Sequence, residues 1–257
     1  MAHGELVWIA ESDDFCDPAF LEHLVPLFAN PAVNLAFGFT VFTDEAGEPG
    51  EWGMRDYLPE LGAGFWDQPF TNSAHNLANI MWSRRNLIPN VSGLLFRPAQ
   101  QLSLLRDPQW GSLRICGDWW LYLALARGGM VAYHPQARNY YRQHASNTSV
   151  SEHKSMRYIE EHLLLAEQVL ARYALDQAAC QRLRQELMDR CSSHLEGALP
   201  ADVARRIEAL HPRQPFAGRL PNVLVATYAL VAGGGEILPL RLANLLHRAG
   251  YGVTVLD

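Results

Sequence analysis

Leu6-Val-Trp-Ile-Ala-Glu-Ser-Asp-Asp14 is the stretch from which the rest of the chain is read. The apolar run from Leu6 to Ala10 predicts a buried strand, and it ends abruptly in Glu11, Asp13 and Asp14. A strand that ends in carboxylates delivers them to a sheet edge. Oxygen ligands there suit a hard cation, and a hard cation suits phosphate oxygens. A plainer reading makes Asp14 or Asp17 the cap of a helix beginning at Pro18. That accounts for one acid but leaves Glu11 and Asp13, two apart at the strand end, unexplained.

The totals set limits on this reading. With 257 residues, 49% hydrophobic and 19% charged, the chain can bury a core and forms one large domain or two small ones. A formal net charge of −6 argues against broad nucleic-acid binding. Lys and Arg are scattered, so no membrane-binding patch stands out. Cys16, Cys116, Cys180 and Cys191 have no C-x-x-C spacing and read as free thiols in a cytoplasmic setting. No apolar run reaches the length of a membrane span, and no signal peptide opens the sequence. The first strand begins close to Met1 and the last, Val253 to Leu256, stops at the C-terminus, so the chain reads as a window on a longer protein.

Along the chain, helical periodicity runs from Pro18 to Ala29, and Val33 to Phe42 reads as a strand. Residues 55 to 88 hold short helical pieces rich in aromatics. A short strand is expected at Asn90–Arg97, a helix at Pro98–Leu105, and another helix from Gly117 to Ala126 closed by Gly128-Gly129. Met130–Tyr133 and Ala137–Tyr141 read as strands. From Ser151 the pattern becomes helical, with a third short helix over Pro200–Leu210, and carries no evident chemistry. His153, His162, His194 and His211 there lack metal-like spacing and read as surface or packing residues. Val223–Thr227, the loop Gly233-Gly-Gly-Glu236, a helix and a strand at Val253 form a β–loop–α–β unit. The loop either brings backbone N–H groups to an anion or makes a tight turn. Without a full G-x-G-x-x-G it does not predict dinucleotide binding.

Four spaced segments together carry a family resemblance. Glu11-Ser-Asp-Asp14 after an apolar strand resembles the DxD stretch of family-2 glycosyltransferases with the GT-A fold. Asn90-Val-Ser-Gly93 resembles their glycine-containing loop near the donor sugar. Gly117-Asp-Trp-Trp120 resembles the xED segment, and Tyr141-Arg-Gln-His144 with Asn147-Thr-Ser149 resembles the loop carrying a C-terminal histidine. Residues 221–257 are similar to the opening of a GT-B-fold, family-4-type glycosyltransferase. The expected class is α/β: a partial GT-A (Rossmann-like) domain over 1–150, a helical spacer over 151–215, and the first βαβ unit of a GT-B-like domain over 216–257.

The resemblance implies metal-dependent, inverting transfer of a sugar from a nucleotide-sugar to a glycan or lipid-linked acceptor, in bacterial surface polysaccharide synthesis. It implies a divalent cation, Mn or Mg, with Asp13 as the direct ligand, Glu11 through water or on the ribose, and His144 at the metal or a phosphate. Asp118 is implied as the base, with an N-cap as the alternative. Asp14, Ser92, Gly93 and Arg142 are implied on the donor side, and Gly233, Gly234, Gly235 and Glu236 as the phosphate loop of the second domain. Trp119 and Trp120 either stack on a sugar or belong to the core. Glu11 departs from the usual Asp, and the segment that normally precedes the DxD stretch, with the base-binding pocket, is absent. No Q-x-x-R-W motif is present, which favours single-residue transfer. The expected location is cytoplasmic, with peripheral association at the inner face of the membrane. The rival class is a catalytically silent sugar-binding or scaffolding module of a polysaccharide assembly complex. A phosphotransferase using Asp13 as nucleophile lacks a partner lysine or a second acidic cluster.

Overall fold

The computed structural model describes residues 4–62, 64–98, 104–144, 155–195, 198–212, 222–226, 241–245 and 252–256. Two compact units divide the chain, Met1–Pro212 and Arg213–Asp257.

The first unit is α/β and built on a mixed sheet. Its strands are β1 (Val7–Trp8), β2 (Phe15–Cys16), β3 (Val33–Thr43), β4 (Phe70–Ser73), β5 (Leu94–Phe96) and β6 (Met130–Arg142). They lie in the order β1-β5-β3-β6-β2, and β4 also pairs with β6. Only β3 and β6 run parallel; the other pairs are antiparallel. One edge of β6 serves two partners in turn, β4 at Met130–Tyr133 and β2 at Asn139–Tyr140.

Why β3 and β6 take the centre is visible in their side chains. The Val33-Asn-Leu-Ala-Phe37 run offers apolar groups to both faces, as a doubly covered strand requires. Leu35 and Phe37 enter one core with Leu94, Phe96, Val131 and Tyr133. Val33 and Ala36 enter the opposite core with Leu95, Ala132 and Ala137. Strict alternation would put Val33 on the face of Leu35 and Phe37, opposite Ala36, and the register shift between Val33 and Leu35 accounts for its sharing a core with Ala36. A second shift follows Gly38, which pairs with His134 while Phe39 pairs with Arg138. Thus the two strands expected at Met130–Tyr133 and Ala137–Tyr141 form one bulged strand.

The smaller core is closed by α1 (Phe20–Leu24) and a 3-10 turn, Val25–Ala29. The helix expected through Ala29 is cut short because Pro26 has no N–H for an α ladder. Ala19 is its N-cap, and no side chain caps it, so neither Asp14 nor Asp17 has the capping role. Instead Asp17 accepts a bond from the Tyr140 hydroxyl (2.9 Å). The strand expected over Leu6–Ala10 contracts to two residues. Between residues 54 and 88 the pieces are α2 (Met54–Tyr57), β4, α3 (Ala74–Leu77) and a π turn, Ala78–Trp82. Strand β4 has no distinct sequence signal. Most of the helix expected at Pro98–Leu105 lies outside the described residues; 104–106 form a 3-10 turn.

On the larger core lie α4 (Pro108–Gly111), α5 (Gly117–Ala126) and three further helices: α6 (Met156–Arg172), α7 (Gln177–His194) and α8 (Ala201–Glu208). Ser155 caps α6 and Asp176 caps α7 through their side chains. These helices pack inside the first unit. Tyr173 donates to the Leu123 carbonyl (2.6 Å), and Arg172 lies over the Trp120 ring (5.5 Å). In the second unit β7 (Asn222–Ala226) and β8 (Gly252–Leu256) pair in parallel, and residues 241–245 are helical. The loop Gly233–Glu236 lies outside the described residues. Among the described residues no helix is long and apolar enough to cross a membrane.

At Gly38 β3 and β6 approach too closely for a side chain, since a Cβ there would fall on the carbonyl oxygen of Ala137. Backbone cannot yield as a flexible side chain does. Gly38→Ala is expected to lower the unfolding free energy by about 2–3 kcal/mol. Urea unfolding followed by circular dichroism reads this directly; an unchanged midpoint would mean that the two strands are not locked at this bulge.

Candidate functional site

A polar network beneath the acidic turn is the foundation of the site. Asn90 is 4% and Asn139 0% exposed, so their amides must find partners inside the protein. Each amide pairs reciprocally with the other, Asn90 Nδ2 to Asn139 Oδ1 (3.0 Å) and Asn139 Nδ2 to Asn90 Oδ1 (2.9 Å). Asn139 Nδ2 also donates to Thr40 Oγ1 (3.0 Å). Asn90 Nδ2 donates to Asp14 Oδ2 (2.6 Å), and the backbone N–H of Arg142 donates to Asp14 Oδ1 (3.0 Å). Asp14 is therefore a structural anchor, tied to the turn after Asn90 and to the end of β6.

The Asn90-Val-Ser-Gly93 segment serves the same anchor. Ser92 Oγ accepts from the N–H of Glu11 (3.0 Å), and the Ser92 carbonyl accepts from the Trp8 indole (2.8 Å). At Gly93 a Cβ would lie 2.8 Å from Asn139 Nδ2, so the amide pair leaves room for glycine alone. Arg142 directs its guanidinium to the Glu45 carbonyl (2.9 Å) and over the Phe15 ring (5.8 Å). Its backbone N–H meets Asp14, and its charge acts on Asp13.

Above this foundation opens a cleft of 1210 Å³. Glu11, Asp13, Asp118 and His144, which span more than half the chain in sequence, all line it. His144 Nε2 donates to Asp13 Oδ2 (3.1 Å), and this bond holds the Asp13 carboxyl below its usual range. Among the described residues no three His, Cys, Asp or Glu side chains are gathered to hold a metal by themselves. Asp13 and His144 stand as a pair. Glu11 is exposed as a residue, yet its carboxyl lines the cleft and is pushed up to about 7. Partial burial is the first cause, followed by the charges of Asp14 and Asp13.

Asp118 enters the cleft from the first turn of α5. The N-cap is Cys116, so Asp118 is not the cap. Its Oδ1 accepts from the Trp119 N–H (2.6 Å), and Asn86 Nδ2 lies 3.5 Å from Oδ2. Burial pushes its carboxyl up to about 7, partly offset by these donors and by the Tyr122 hydroxyl. Trp119 and Trp120 are 4% and 1% exposed, and Trp119 donates to the Trp82 carbonyl (3.0 Å), so both belong to the core.

The loop that presents Asp118 is held from the helical region in which the sequence shows no chemistry. Glu161 of α6, 6% exposed, accepts from the backbone N–H groups of Arg114 (2.9 Å), Ile115 (2.7 Å) and Cys116 (3.0 Å). Three successive N–H groups at a helix start form an anion cradle, filled here by a carboxylate of the same chain. His162 and His194 also line the cleft. His162 Nδ1 donates to the Tyr158 carbonyl (2.7 Å), which leaves Nε2 to accept from Arg190 (3.2 Å). A wide buried arc on α6 that includes Glu161 and His162 is the one sequence signal for these roles. A carboxylate on such an arc requires a partner. The candidates Gly233, Gly234, Gly235 and Glu236 lie outside the described residues.

No protein-family model and no curated protein matches this chain.

Two outcomes are expected. Asn139→Ala strands the Asn90 amide and Thr40 and should cost about 1–3 kcal/mol in thermal unfolding, more than Gly93→Ser if the pair rather than local packing is what matters. For Asp118 the folded carboxyl holds its proton more tightly than the unfolded one. Stability contributed by that proton is present at acid pH and is lost as pH rises through about 7. Asp118→Asn should therefore raise the melting temperature at pH 8 by roughly 4–8 °C and leave it almost unchanged at pH 4. Parallel melting curves of the two proteins across pH would exclude the perturbation.

Proposed function

We propose that the first unit is the later part of a GT-A-type glycosyltransferase of the family-2 kind, transferring a sugar from a nucleotide-sugar with inversion. The observation that carries the reading is the shared cleft. Four polar groups distant in sequence line one cavity, with a carboxylate–imidazole pair at one place and a carboxyl perturbed to about 7 at another. Perturbed acids in a cleft are a functional signal when a specific environment causes the shift.

Asp13 and His144 would hold a divalent cation, Mn or Mg. A carboxylate and an imidazole side by side fit such an ion if diphosphate oxygens and water complete its coordination. When bound, the cation neutralises charge that grows on the leaving diphosphate. Asp13, kept ionised by His144, is ready for that role. Glu11 lines the same cleft within electrostatic reach of Asp13, and its carboxyl, pushed up to about 7, limits the negative charge met by a diphosphate. Asp118 in its ionised form takes the proton of an acceptor hydroxyl. The oxygen attacks the anomeric carbon while the bond to the diphosphate breaks, so each transfer inverts the centre. Glu161 keeps the 114–116 loop, and with it Asp118, in register with the cleft.

The acceptor class in this reading is a glycan or a lipid-linked sugar, at the cytoplasmic face of a membrane. For the second unit we propose the opening of a GT-B-type domain, supported by the parallel β7–β8 pair. One observation favours a second reading, a sugar-binding module without transfer: Glu11 stands where the resembling stretch carries Asp.

Calorimetric titration of UDP- and GDP-sugars with Mn separates the two. Transferase binding is expected to require Mn, to weaken more than tenfold in Asp13→Ala, and to persist in Asp118→Asn. Transfer in the Asp118 variant should fall by about 10²–10⁴, with the remaining pH–rate profile lacking a rising limb near 7. Nucleotide binding indifferent to Mn and to Asp13 would remove the metal–diphosphate assignment. Full transfer by Asp118→Asn would remove the base.

A further inference from the structure

The cleft has a second chemical character away from the Asp13–His144 pair. Trp52 lines it and is 47% exposed, an unusual position for the largest apolar side chain. The ring is held on two sides. Phe42 meets it at 4.7 Å and 62°, and Tyr57 at 5.8 Å and 81°. Both contacts are edge-on, and no described aromatic ring lies parallel to the indole. Phe42 is itself buried and braced by Tyr141 (5.8 Å). Trp52 is thus a fixed flat surface in the cleft, not a loose surface side chain.

Its neighbours place it on the Asp118 side. Tyr57, against which it rests, lies within electrostatic reach of Asp118, and the Tyr57 carbonyl accepts from Arg85 (3.3 Å). Beyond it the cleft wall is made by α7, with Arg85 and Arg190 both paired to Glu186 (3.3 and 3.0 Å). Asp189 and Ser193 continue that wall. Charges on it are therefore mutually neutralised, and the wall presents donors and acceptors together without an excess of one sign. Such a surface suits a neutral, polyhydroxylated ring. An indole face suits the apolar C–H face of the same ring, because hydrogen atoms on carbons adjoining oxygen carry partial positive charge and the π face is negative. An anionic ligand would meet Glu186 and Asp189, and a purely apolar one would leave the polar wall unpaired.

We propose that Trp52 is the stacking platform of an acceptor subsite for a neutral pyranoside, with the α7 wall binding its hydroxyls and Asp118 facing the one that reacts. The assignment of the reacting hydroxyl rests on the transferase reading above; the pyranoside subsite itself does not. Trp52 fixes which face of the sugar lies on the protein, so it selects among rings by the stereochemistry of their hydroxyls. A ring that presents several axial C–H groups on one face with no hydroxyl among them binds best, and an axial hydroxyl on that face excludes it.

Saturation-transfer NMR with methyl glycosides of glucose, galactose, mannose and N-acetylglucosamine tests this on the full chain. At least one should receive magnetisation concentrated on the C–H protons of a single ring face. Trp52→Ala should weaken its binding at least tenfold, Trp52→Phe should restore part of the loss, and circular dichroism should remain unchanged because the residue is exposed. UDP with Mn, titrated into the same variants, should bind within twofold of the parent. Three results overturn the proposal: no glycoside binds the folded parent, binding is equal in Trp52→Ala, or nucleotide affinity falls with the Trp52 change, which would assign the platform to a base. Failure of UDP–Mn binding in the parent sinks the donor reading alone and leaves the glycoside result to decide the subsite.

Discussion

The amide pair of Asn90 and Asn139 is the interaction on which the site depends. Neither side chain reaches water, and each satisfies the other while one donor is left for Asp14 and one for Thr40. A buried polar pair of this kind contributes little net stability when complete, but its geometry is exacting, since a partner moved by an ångström leaves several groups unsatisfied. That exactness is useful here. Three segments far apart in sequence, the acidic turn, the turn after Asn90 and the end of β6, are held to one another through it. Gly93 has no side chain because the pair occupies the space. Asp14 spends its oxygens on the anchor, and Asp13, one residue earlier, is the acid that meets His144.

A buried carboxylate, Glu161, works in the same manner behind the loop that presents Asp118. Glu161 comes from α6 and takes three backbone N–H groups just before α5. The desolvation of a charged group inside the protein is offset only when its acceptor capacity is filled, and these N–H groups do so. The helices following residue 155 are consequently part of the site, through Glu161 and through the α7 wall. Arg190 ties this wall together, with bonds to Glu186, to the Tyr158 hydroxyl and to the Arg84 carbonyl.

Several elements were legible in the residues. Val33–Phe42 as a strand, Gly117–Ala126 as a helix and the β7–β8 strands follow from composition and period, because a β-branched, aromatic run and a long apolar helix leave few alternatives. Asp13, Glu11, Asp118 and His144 were singled out as chemistry-bearing, and the fold brings them to one cleft. Other roles were not legible. Ser92 and Gly93 look like a ligand loop, yet their visible work is to seat Glu11 and to clear space for Asn139. Trp119 and Trp120, aromatic beside an acid, are core. Asn90 opens a segment that reads as a ligand loop rather than an anchor, Asn139 and Trp52 have no local pattern around them, and Glu161 has only an arc of apolar neighbours.

What the sequence determined by itself is the kind of element and the positions of the acidic and polar side chains along the chain, because both are read from neighbours a few residues apart. An apolar run ending in acids, a turn at Gly128-Gly129, and a capped amphipathic helix are each specified within one or two turns of chain. Only the tertiary structure decided which acid anchors and which faces the cleft, why a bulge at Gly38 merges two strands, and how the later helices share the site. Those outcomes depend on contacts between residues separated by tens to more than a hundred positions. Such contacts are selected by burial and by hydrogen-bond completeness in three dimensions, which leave no periodic trace along the chain.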